Sequence, residues 1–75
     1  MLRVDIKATG KHIKEIMSLR DIKASQVASR CGFSTTVSVY KWLNGKGLPS
    51  IDNLVILADM LNVSIDELLV VIDTE

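Results

Sequence analysis

Gly32 and the run Asn44-Gly45-Lys46-Gly47 cut the middle of this chain into helical pieces of about two turns each. Glycine stops a helix by turning the chain left-handed, and an Asn-Gly-x-Gly run reads only as a loop. Between the stops, Val39, Trp42 and Leu43 recur at helical spacing on one face; before Gly32, Val27, Ala28 and Cys31 do the same. Helices this short are unstable alone and persist only by burying a face against their neighbours. The chain is thereby committed to a bundle of short helices crossing at steep angles.

The flanks extend that reading. Leu2, Val4 and Ile6 alternate with Arg3, Asp5 and Lys7, so residues 1–8 read as an extended arm or edge strand. Thr9 reads as the N-cap of a first helix with Ile13, Ile16 and Met17 inward, ending near Arg20. The second helix begins near Ala24, and Ser34 and Thr35 are placed to cap the third. Ser50 caps a fourth helix with Ile51, Leu54, Val55, Ala58 and Leu61 on one face, and Asn62 ends it. Ser64-Ile65-Asp66-Glu67 is a capping box opening a fifth helix with Ile65, Leu68, Leu69 and Ile72 inward. The expected fold is all-α: one compact five-helix domain over residues 9–72 behind a short N-terminal arm, 1–8.

Composition narrows the function classes. The single Cys31 forms no internal disulfide, and no Cys/His set has zinc spacing, so a reducing intracellular setting and no metal are expected. No signal segment or bilayer-length apolar run is visible, and a soluble, cytoplasmic protein is expected. No nucleophile–base pair, paired carboxylates or Walker spacing around Gly45-Lys46-Gly47 supports an enzyme or a cofactor. The net charge is zero, yet residues 1–46 hold all nine Lys and Arg with only Asp5, Glu15 and Asp21, a net +6. Residues 47–75 hold six acids and no base, a net −6. A basic half can face phosphate while an acidic half turns away; the alternative is a chance segregation of solvated charges.

The stretch Lys23 to Pro49 carries the functional signal. A short helix stopped by glycine, a turn, and a helix with polar groups opposite its apolar stripe make the helix-turn-helix pattern, whose second helix enters the DNA major groove. At 100° per residue, Val37, Tyr40, Lys41 and Asn44 point outward, with Ser38 at the margin.

From Thr9 to Leu69, about four-fifths of its length, the chain resembles the Cro/lambda-repressor-like family, the Xre-type helix-turn-helix domain. The resemblance rests on Thr9-Gly10-x-x-Ile13, Val27-Ala28-x-x-Cys31-Gly32-Phe33-Ser34 and Trp42-Leu43-Asn44-Gly45-Lys46-Gly47-Leu48-Pro49-Ser50. It continues through Asp52-Asn53-Leu54, Leu57-Ala58, Leu61-Asn62-Val63-Ser64 and Asp66-Glu67-Leu68-Leu69. One departure is a turn one residue longer than the family's common form, near Ser34-Thr35-Thr36-Val37. It leaves open which of Thr35, Thr36 and Val37 reaches the groove first.

The resemblance implies sequence-specific binding of double-stranded DNA by a bacterial or phage-type transcriptional regulator, repressor before activator. It implies that Ala24, Ser25 and Gln26 meet phosphate at the start of helix two. Thr35, Thr36, Ser38, Tyr40 and Lys41 would face the groove, and Asn44 and Lys46 would clamp the backbone. Tyr40 is open between touching DNA and shielding a neighbour. Trp42 and Phe33 read as core aromatics rather than base-stacking platforms, Cys31 as a small core residue before a redox sensor, and His12 as a solvated imidazole without a partner. Lys11, Lys14 and Lys23 read as solvated charges or, on this fold, as distant phosphate contacts. The competing function is a protein-interaction or antitoxin-like module of the same fold with weak or no DNA binding. A homodimer is expected, because Ile56, Met60 and Val70 project away from the assigned core on helices four and five. The alternative is that the Leu2-Val4-Ile6 arm covers them.

Overall fold

A computed structural model describes residues 1–74. In order they form β1 (Leu2–Val4), α1 (Ile6–Leu19), α2 (Ala24–Cys31), α3 (Val37–Leu43), α4 (Ile51–Leu61), α5 (Ile65–Leu68) and β2 (Val71–Asp73). The five expected helices are present, but the termini are not helical: β1 and β2 pair antiparallel, Arg3 facing Ile72 and Val4 facing Val71. The all-α expectation therefore describes the bundle and not the ends of the chain. No helix among the described residues is long and apolar enough to cross a membrane.

The first helix starts a turn earlier than Thr9. Asp5 is its N-cap, with the carboxylate Oδ1 accepting the Ala8 N–H at 3.0 Å, so the extended segment stops short of the expected 1–8 arm. Thr9 is instead wholly buried inside α1, and its Oγ1 accepts the Val70 N–H at 2.9 Å. A threonine whose partner lies far along the chain looks, in sequence, like a local cap.

Gly32 ends α2 in the left-handed region at φ +80°, and the Phe33 N–H returns to the Ala28 carbonyl at 2.9 Å. The turn runs on to Thr36, which holds the N-cap position of α3 without a side-chain cap bond; Thr35 Oγ1 accepts the Val37 N–H at 3.4 Å. Ser50 caps α4 by accepting the Asn53 N–H at 3.3 Å, and Asn62 stops it at φ +56°.

The face that α4 buries differs from expectation. Leu57, Ala58 and Leu61 are buried with Leu54 half-buried beside them, while Ile51 is 76% and Val55 53% exposed. The helix is apolar on most sides, so two overlapping stripes satisfy the helical period equally; packing selects the one containing Leu57. Met60 rests against the core, and Ile56 is half-buried. The fifth helix is a single turn. Its Ser64–Glu67 capping box forms as read, but Leu69 is already extended and Ile72 lies on β2, 38% exposed rather than inward. The β-branched run Val70-Val71-Ile72 favours a strand wherever a partner strand is at hand, and β1 is that partner.

Ile13, Met17, Val27, Ala28, Val39, Trp42, Leu57, Leu61 and Leu68 form one core, so each helix contributes. Trp42 is 6% exposed and meets Phe33 edge to face, with ring centroids 5.8 Å apart. His12 does have a partner: its Nε2 lies 2.7 Å from the Glu67 carbonyl oxygen. Because a carbonyl only accepts, that nitrogen carries the proton, and the bond ties α1 to α5.

Candidate nucleic-acid interface

Helix α3 is held at its C-terminal end by a backbone-to-backbone contact. A Cβ on Gly10 would land on the Trp42 carbonyl oxygen and lie 3.0 Å from that of Leu43, so α1 presses directly on the last turn of α3. The loop that follows is held in the same way. Gly45 adopts φ +72°, and a Cβ there would sit 2.8 Å from the Lys7 Cα. The Asn44 N–H donates to Tyr40 O at 2.9 Å, Gly45 N–H to Trp42 O at 3.1 Å, and Lys46 N–H to Lys41 O at 2.9 Å. Asn44 and Lys46 therefore stand on a loop fixed both to α3 and to the start of α1.

On that frame α3 turns Val39 and Trp42 inward. Val37, Tyr40 and Lys41 are exposed and Ser38 half-buried, with exposed Asn44 and Lys46 continuing past the C-cap. The outward set matches the helical-wheel expectation residue by residue; only Leu43, half-buried, is less deep than its stripe implied. Lys41 leans along the loop, its Cε 3.6 Å from where a Gly47 Cβ would be. Tyr40 is 51% exposed.

The turn side of the motif is a concave surface of about 500 Å³ lined by Ser25, Ser29, Phe33, Ser34, Thr35 and Thr36. It brings Ser25 of α2 together with Thr35 and Thr36 before α3. Val37 is the first residue inside α3, so the extra turn residue places both threonines ahead of the helix. Gln26 is partly committed elsewhere: its Oε1 accepts the Lys23 N–H at 2.7 Å and closes the start of α2. Its amide NH₂ remains available as a donor.

Electrostatically, the bundle is divided by element. The basic side chains lie on β1, α1, α2, α3 and their connections, and Asp52, Asp59, Asp66, Glu67 and Asp73 lie on α4, α5 and β2. Arg30 meets Asp59 at 3.1 Å where the halves adjoin, an exposed pair of small energetic weight. Burial pushes the Cys31 thiol up, against a smaller opposing effect of the Arg30 charge, which suits a packing residue rather than a reactive thiolate. Lys7, one of the alternating residues of the arm, carries no functional signal in the sequence. Its place beside the Asn44–Lys46 loop follows from Gly45, whose left-handed turn lets the two backbones meet.

Residues 13–68 match the model of a helix-turn-helix family. A curated relative, the cryptic phage CTXphi transcriptional repressor RstR of Vibrio cholerae serotype O1, is 50% identical over 44 residues. That stretch is 59% of this chain and 38% of the repressor, so the match spans well under half of the relative's length. Among solved structures, the restriction-modification controller protein C.AhdI from Aeromonas hydrophila superposes with a TM-score of 0.74 at 22% identity, over 85% of this chain and 96% of that one. The S. venezulae BldD DNA-binding domain gives 0.69 at 22% identity, over 88% and 97%. At these identities the structural likeness speaks to the fold.

Proposed function

This chain belongs to the helix-turn-helix family, and from that premise we propose that it binds double-stranded DNA sequence-specifically and regulates transcription in the cytoplasm, as a repressor. One observation carries the reading: a short, rigidly backed helix turns its aromatic and branched residues inward and leaves Ser38, Tyr40 and Lys41 outward, with Asn44 and Lys46 beyond. Rigid backing matters because base edges are read by hydrogen bonds whose geometry tolerates little motion. Thr35, Thr36, Ser38, Tyr40 and Lys41 are assigned to the groove, and Lys41 is the strongest donor among them, to guanine acceptors or phosphate. Ser25, Gln26, Asn44 and Lys46 are assigned to the backbone. The half-identical stretch shared with a phage transcriptional repressor supports repression as the output.

The test is selection from a random duplex library followed by titration of variants. Lys41→Ala is expected to cost about 1–3 kcal/mol on the selected site, and Asn44→Ala and Lys46→Ala to weaken all sequences evenly. Unchanged affinity in all three removes the assignment and leaves the protein-interaction module.

The same reading includes a homodimer. Its support is the apolar surface of α4, where Ile51 and Val55 are exposed and Ile56 half-buried; half-buried Val70 instead lies beside the start of α1, bonded through its backbone to Asp5 and Thr9. Met60, packed on the core, contributes less than the sequence implied. Two-fold pairing through this surface sets two reading helices about one DNA turn apart. Sedimentation of wild type against Val55→Lys/Ile56→Lys decides it. A wild type that stays monomeric at high micromolar concentration with palindromic DNA rules the dimer out.

A further inference from the structure

We infer that the DNA track extends beyond the helix-turn-helix motif, along a lysine-walled groove between α1 and the loop after α3, which holds one deoxyribose-phosphate strand. The inference rests on the DNA-binding reading above and adds to it a surface that the motif does not contain. The groove, about 430 Å³, is lined by Asp5, Lys7, Ala8, Lys11, Leu43 and Asn44. Ala8 and Leu43 give it an apolar floor of the kind a deoxyribose rests on. Lys7 and Lys11 form one wall and Asn44, already assigned to the DNA backbone, the other.

Helix geometry puts the charges there. Lys7, Lys11 and Lys14 stand at i, i+4 and i+7, on one stripe of α1. Gly10 lies one helical turn from both Lys7 and Lys14, and it is the residue pressed on the Trp42 and Leu43 carbonyls. The stripe therefore runs along the border of α1 nearest α3, and its first turn meets the Asn44–Lys46 loop through the Lys7–Gly45 contact. Lys7 and Lys11 are exposed and form no ion pair among the described residues. Asp5 is the one carboxylate in the groove, and its Oδ1 is engaged by the Ala8 N–H. Two cations on an apolar floor, continuous with a phosphate-directed loop, suit a polyanionic strand with a sugar between its charges.

The experiment is a titration of the full chain against a random-sequence duplex from low to moderate KCl, which reads phosphate contacts alone. Each neutralised phosphate adds about 0.9 to the slope of log affinity on log salt, so Lys7→Gln/Lys11→Gln is expected to be shallower by about 1.8. Lys11→Gln alone, which leaves the backbone packing of Lys7 on Gly45 intact, is expected to lose about 0.9. Arg20→Gln removes a charge at the far end of α1, about 14 Å along the helix from Lys11 and about 20 Å from Lys7, and is expected to leave the slope unchanged. Wild-type slopes in both lysine variants overturn the inference. So does an equal loss per charge in Arg20→Gln, which would report net charge rather than a groove. A wild type that binds no duplex at any salt overturns the DNA-binding reading itself, a result separable from a wild type that binds with unaltered variants.

Discussion

Replacing Gly10 with alanine sets two effects of known size against each other. Within α1, alanine is the better helix former by about 1 kcal/mol, so propensity alone makes Gly10→Ala stabilising. The added Cβ, however, falls on the Trp42 carbonyl oxygen and 3.0 Å from that of Leu43. Both atoms are backbone in the last turn of α3, so no side chain can rotate out of the way, and α1 and α3 must separate. Forcing a methyl group into such a contact costs about 3 kcal/mol at the upper end of the usual range. The net expectation is a loss of about 2 kcal/mol, or a melting temperature lower by about 8–16 °C for a domain of this size. Thermal unfolding followed by circular dichroism measures it directly. Displacing the end of α3 also moves Lys41 and the Asn44–Lys46 loop, so affinity for the selected duplex should fall more than the fraction unfolded accounts for. A variant that melts at or above the wild-type temperature would show that helix propensity prevails and that α1 does not bear on α3 as described.

Three further outcomes follow from particular contacts. Thr9→Val keeps the buried shape but leaves the Val70 N–H without its acceptor; a cost of about 1–3 kcal/mol and faster hydrogen exchange at the Val70 amide are expected, and unaltered exchange would exclude that bond. Trp42, 6% exposed against Phe33, should emit at short wavelength in the native protein, and Trp42→Ala should cost about 3–5 kcal/mol, enough to unfold most of the population; water-like emission would reverse the orientation of α3. The Ser64 backbone N–H, which donates to Glu67 Oε1 at 3.0 Å, holds the Glu67 carboxyl below the usual carboxylate range, with a smaller contribution from the Ser64 side chain. A group depressed in the folded state stabilises above its unfolded pKa and loses that contribution as pH falls through its folded one, so Glu67→Gln should flatten the acid limb of the stability profile; an acid limb identical to wild type would remove Glu67 as its source.

Much of the helix-turn-helix motif was legible in the chain because its determinants are local. The glycine at position 32, the Asn-Gly-Lys-Gly run and the serines at positions 50 and 64 act within a few residues of themselves, through backbone conformation and capping bonds that need no distant partner. The outward face of α3 was legible for a related reason. Val39 and Trp42 are separated from polar neighbours clearly enough that only one rotation buries apolar surface without burying charge. Where that contrast is missing, sequence was silent. On α4 most faces are apolar, so periodicity admits more than one rotation, and the choice of Leu57 over Ile51 and Val55 was made by the space left between α2 and α5. Val71 to Asp73 continue a plausible helical stripe and become a strand only because Leu2 to Val4 arrive alongside from the other end of the chain. Thr9 read as a cap because its true partner, the amide of Val70, is brought to it by the fold alone. The same holds for the groove beside Lys7: two glycines far apart in sequence let α1, the end of α3 and its loop meet at backbone distance. Interactions within one or two turns are written in residue order; those between separated segments exist only after the chain has closed on itself, and they decide which of several locally acceptable faces is buried.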